Sequence, residues 1–67
     1  MFNKEQADFI RHELGYEVEG VDLNDETLSA IQDAAFDVEI EETIKAGDNE
    51  LSNRGELAAG IVTLLGE

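Results

Sequence analysis

Cysteine is missing from this chain. No disulfide can staple it, no thiolate can ligate a metal, and no cysteine nucleophile is available. Basic residues are scarce: four Lys and Arg stand against seventeen Asp and Glu, a net charge of −13 in 67 residues. A chain so charged repels nucleic acid and anionic membrane and attracts basic surfaces. Long apolar runs are lacking too, and none approaches the roughly 20 residues of a membrane span. The first residues, Met1-Phe2-Asn3-Lys4-Glu5, have no apolar core and turn acidic at once, unlike a secretory signal. A cytoplasmic protein is the expectation. There is one histidine, His12, with no Cys or second His to complete a metal set. A solvated surface histidine is the better reading of it. There is no Gly-rich phosphate loop and no serine with a plausible base beside it. An enzyme is not expected, nor any cofactor.

What is present is helical periodicity. The acidity is no simple sign of disorder, because apolar residues make up 42% of the chain and recur at helical spacing. One domain is all that this length allows. Its single core supplies only about 3–5 kcal/mol.

The longest stretch without glycine contains Asn24 to Ala46, around which the chain is organised. Asn24 suits an N-cap, with Asp25 and Glu26 at the positive end of the helix dipole. Gly47 can end the helix in a left-handed conformation. Glu41 stands four residues before Lys45, the favourable order for a helical ion pair. Leu28, Ile31, Ala35 and Val38 form one apolar stripe; Phe36, Ile40 and Ile44 form a second, rotated by more than about 100°. Past Val38 the first stripe runs into Glu39 and Glu42, so the pattern predicts a change of buried face. It is consistent with one helix meeting different neighbours, a kink near Asp37, or a helix followed by an extended segment. Phe36 to Glu41 does alternate with period two. The helix is preferred because no turn residue intervenes.

Before this stretch, Asn3 and Gln6 form a capping-box pattern. Ala7, Ile10 and Leu14 then share a face, and Gly15 is the stop. Lys4, Asp8, Arg11 and His12 fall at helical pair spacings opposite that face. Tyr16 to Leu23 reads as an irregular or briefly extended connection. After it, Ser52 or Asn53 caps a third helix, whose core stripe is Leu57, Ile61, Leu64 and Leu65. Its back face, Ala59, Gly60 and Thr63, is small enough for a second copy to approach. The expected fold is all-α: three helices over 4–14, 25–46 and 53–65, the central one long. Leu28, Ile31, Ile10, Leu14, Leu57, Ile61 and Leu64 are the expected core.

Two clusters of acids are candidates for binding. Glu17, Glu19 and Asp22 lie in the first connection. Glu26, Asp33, Asp37 and Glu41 form a stripe on the central helix. A calcium loop does not fit: counting from Asp22, the required Gly falls on Thr27 and the closing Glu on Asp33. Mimicry of nucleic acid is poorly served by the stripe alone. Four carboxylates over roughly 22 Å of helix are far sparser than one charge per about 1.7 Å of duplex.

Phe2 to Ile10, Leu23 to Glu26, Ile31-Gln32-Asp33, and Gly55-Glu56-Leu57 with Ile61 and Leu64-Leu65 are similar to small acidic helical proteins of Gram-positive prophages and conjugative elements. Those proteins have no assigned activity. The resemblance implies a mobile-element context and a host-directed binding role. Phe36 to Ile40 also resembles a segment of acyl carrier proteins. Their phosphopantetheine serine follows an Asp, whereas Ser29 and Ser52 both follow Leu, so that activity is excluded. The expected function is a protein-binding module, a mobile-element inhibitor of a basic, nucleic-acid-binding host protein. The partner is a basic protein, with no direct contact to nucleic acid or membrane. The alternative is a structural or self-associating protein whose charge serves solubility.

Overall fold

The structure, a computed structural model, describes residues 2–66. The first helix, α1, spans Lys4–Phe9 and runs without a break into a wider π-helical turn, Ile10–Leu14. The second, α2, spans Asp25–Ala46, and the third, α3, spans Asn53–Leu65. No strand occurs among the described residues, and none of the helices is long and apolar enough to cross a membrane.

Each start is set by a side chain. Asn3 accepts from the Gln6 N–H at 2.7 Å while the Gln6 side chain accepts from the Asn3 N–H at 3.0 Å, a complete capping box. Asn24 accepts from the Thr27 N–H at 2.8 Å. Of the two candidates for the third cap it is Ser52 that serves, its Oγ accepting from the Gly55 N–H at 3.1 Å. Gly15 closes the π turn at φ 82°, a left-handed conformation that Gly adopts without steric cost. Tyr16 to Leu23 has no regular structure, and Phe36 to Ile40 lies inside α2.

The chain folds as an α2–α3 hairpin with α1 laid across it. The molecule measures 39 × 19 × 19 Å, and α2, roughly 33 Å long at 1.5 Å per residue, sets the long dimension. Two contacts fix the antiparallel register. Gly55 lies against Glu42, and Gly66 lies beside the Gln32 side chain. The core joins Phe9 and Ile10 to Ile31, Ala35 and Val38 of α2 and to Ala58 and Ile61 of α3.

The core differs from the expected one in kind. Leu14, Leu28, Leu57 and Leu64 are only half-buried, and Gly55, Ala58 and Ala35 take their place at the centre. Small residues let the backbones of α2 and α3 approach closely. The large leucines are thereby displaced to the rim of the seam.

The expected change of buried face on α2 does not occur. The helix is unbroken, and its buried line is Ile31, Ala35, Val38 and Glu42. The line continues through a carboxylate because that carboxylate is fully partnered. Phe36, Ile40 and Ile44 are left outside, 50%, 43% and 75% exposed.

Candidate functional site

Half of the basic side chains, Lys45 and Arg54, are drawn into one knot. Glu42 accepts from the Ser52 hydroxyl at 2.8 Å and from Arg54 Nη1 at 3.2 Å, and Lys45 Nζ stands 3.4 Å away. Arg54 reaches across with its Nε to Glu13 of the π turn at 3.1 Å. Lys45 also pairs with Glu41 at 3.1 Å, as their spacing anticipated. The Ser52 hydrogen bond holds the Glu42 carboxyl below its ordinary value, with Lys45 and Arg54 adding to it against the opposing effect of burial. The Glu41 and Glu42 carboxylates in turn raise Lys45. A buried carboxylate is costly unless paired and hydrogen-bonded, and here every polar demand is met. Ser52 therefore does two things: it caps α3 and ties that cap to α2. The knot is a fastening between helices.

The remaining bases are Arg11, 4.0 Å from Glu17, and Lys4. The anticipated pairs of Asp8 with Lys4, Arg11 and His12 are not among the ion pairs of the described residues. A π turn advances less than 100° per residue, so Arg11 and His12 no longer align with Asp8; Lys4 and Asp8 both precede the turn, and it does not explain the absence of their pair.

With Arg11, Lys45 and Arg54 so engaged, most of the exposed acids are left without a basic partner among the described residues. All seven candidate carboxylates, Glu17, Glu19, Asp22, Glu26, Asp33, Asp37 and Glu41, are exposed. Only Glu17 and Glu41 have a basic group within salt-bridge distance among the described residues. Glu26, Asp33, Asp37 and Glu41 lie on one side of α2, away from its buried line. The loop acids are not gathered onto the same row. Glu19 and Asp22 rim a depression of about 310 Å³ lined by Phe2, Leu23 and Leu28, near the start of α2. Its lining carries no His, Ser, Thr or Lys. The candidates thus form a row along α2 and a separate group at one end.

No group of three or more His, Cys, Asp and Glu is placed to hold a metal among the described residues. His12 is exposed. Of the small residues on α3, Thr63 is exposed, whereas Ala59 and Gly60 are half-buried. Gly60 faces α1: a side-chain carbon there would lie 3.6 Å from Gln6 Nε2.

Two features escaped the sequence reading. The Glu42 knot spans three helices, and only the Glu42–Lys45 spacing is local. The exposed Phe36–Ile40–Ile44 line was visible as a stripe, but not as one that no other element covers.

The chain matches no protein-family model, no curated protein and no solved structure.

Proposed function

We propose that this protein is a non-enzymatic, acidic protein-binding module that engages a basic protein in the cytoplasm. The observation that supports this most is the row Glu26, Asp33 and Asp37 on the outward side of α2. These three exposed carboxylates lack a basic partner among the described residues, while Lys45 and Arg54 are committed to the Glu42 knot. A surface acidic in pattern, not merely in sum, speeds encounter with cationic partners and fixes their orientation. With the mobile-element resemblance, the partner class is a nucleic-acid-binding protein of the host, inhibited by occupation of its basic surface.

Capture from a Gram-positive lysate on the immobilised full chain at low salt tests this, followed by identification and competition. The expected catch is a basic protein that leaves in salt and that DNA or RNA displaces. A chain that captures nothing salt-sensitive, and whose mass rises with concentration, is instead a self-associating protein.

A further inference from the structure

Phe36, Ile40 and Ile44 follow one another at four-residue intervals, which sets them along a single line of α2. That line faces almost directly away from the buried Ile31–Ala35–Val38–Glu42 line. With full exposure of such side chains near 200 Å², the three present roughly 300 Å² of apolar surface. That is the size of the largest patch on many monomers, and such patches are often functional. At the upper end Phe36 borders a depression shared with Gln32, Asp33 and Val62, at the seam with α3.

A second row runs beside the first. Asp33, Asp37 and Glu41 repeat at the same four-residue interval, offset by three positions, so each acid lies next to an apolar side chain. One flank of the line therefore carries acids along its whole length, Asp33 and Asp37 without a basic partner among the described residues and Glu41 shared with Lys45 at 3.1 Å. The other carries Gln32, Glu39 and Thr43 and no base.

We propose that this face docks a cationic amphipathic helix of another protein. Its apolar side chains cover Phe36, Ile40 and Ile44, and its Lys or Arg side chains reach Asp33, Asp37 and Glu41. The inference rests on the reading that the partner is basic, and adds the element the partner presents. Rows at i and i+4 form the ridges and grooves into which a second helix packs. The line from Phe36 to Ile44 is about 12 Å long, a match for two to three turns. Charge argues against a second copy. Each chain carries −13, and in an antiparallel two-fold pair the acidic row would lie against its own twin. A cationic partner turns the same acidic row from an obstacle into a contact.

The test uses the full chain and a labelled synthetic peptide of about five helical turns, Leu on one face and Lys on the other. Two comparison peptides have the same residues scrambled, or Glu in place of Lys. Anisotropy titrations are run at about 0.15 M salt. The Leu/Lys peptide is expected to bind at least about tenfold more tightly than the scrambled one. Phe36→Gln/Ile40→Gln/Ile44→Gln, which keeps helix-favouring residues, should erase that preference while the circular dichroism stays parental. Asp33→Asn/Asp37→Asn/Glu41→Gln should weaken both cationic peptides. Equal binding of the Leu/Lys and scrambled peptides overturns the docking face but leaves the basic-partner reading standing. Equal binding of the Leu/Glu peptide overturns both, as does failure of both cationic peptides to bind. A concentration-dependent mass abolished by the triple Gln variant would make a second copy the occupant and overturn the proposal.

Discussion

The same substitution at two glycines of α3 should have opposite signs. In a helix, Gly→Ala ordinarily gains up to about 1 kcal/mol. At Gly60 nothing opposes that gain, since the nearest atom to a new Cβ is Gln6 Nε2 at an ordinary contact distance of 3.6 Å. At Gly55 a Cβ would fall 2.6 Å from Leu51 Cγ, 2.8 Å from its Cδ1 and 3.0 Å from Glu42 Cβ. The Leu51 Cδ1 can swing aside. Its Cγ can move only by a change of χ1, which unseats the half-buried Leu51 side chain beside the Ser52 cap, and Glu42 Cβ on the buried line of α2 closes the other side. Overpacking of this kind costs about 1–3 kcal/mol, which exceeds the gain over most of its range. Gly55→Ala should therefore lose about 1 kcal/mol and Gly60→Ala gain about as much. At about 4–8 °C per kcal/mol for so small a domain, their melting temperatures should straddle the parent's. Thermal melts by far-UV circular dichroism at one pH and salt concentration measure both. If the two variants rise together, α2 and α3 do not approach each other at Gly55 as closely as described.

Three further outcomes are expected. Ile61→Ala, at a fully buried site, should cost about 2–5 kcal/mol, most of what the domain has, whereas half-buried Leu57→Ala should cost less; urea titration of both orders them. Glu42→Gln should melt below the parent at pH 7, because Gln cannot draw Arg54 and Lys45 as a carboxylate does. Glu42 is held below its ordinary value of 4.5 in the folded state, so its stabilisation is full above that value and is lost as pH falls through the lowered one. The gap between variant and parent should close in that range, and a gap unchanged at acid pH would mean that the ionised carboxylate contributes nothing. Added salt should raise the parent's melting temperature by screening a net charge of −13, an effect that differential scanning calorimetry detects; a fall would mean that the ion pairs of the knot outweigh the repulsion.

The helices were legible because their punctuation is local. Asn3, Gly15, Asn24 and Gly47 act within a turn of themselves, so the ends of the first two helices can be read from neighbouring residues, and the start of the third to within one residue, Ser52 or Asn53. The seam was not legible. Hydrophobic spacing draws attention to Leu57 and Leu64, but close approach selects for what is absent at Gly55 and Ala58. Glu42 was missed for a related reason. A glutamate on an apolar line looks like the end of that line until Ser52 and Arg54, ten and twelve residues on, come to meet it. As for the candidate site, the row on α2 follows from helical spacing alone. The separation of Glu19 and Asp22 from that row depends on an irregular connection that carries no such periodicity.

The most direct measurement is the association rate of the captured basic partner against ionic strength, for the parent and two neutralised triples. Glu26→Gln/Asp33→Asn/Asp37→Asn removes the unpaired row on α2. Glu5→Gln/Asp48→Asn/Glu50→Gln removes equal charge from exposed positions elsewhere. Charges at the edge of an interface act mainly on association rate and its salt dependence. The first triple should slow association and flatten its salt dependence, while the second leaves both close to the parent's. Equal slowing by the two triples would show that the acids act as bulk charge and that α2 presents no binding surface.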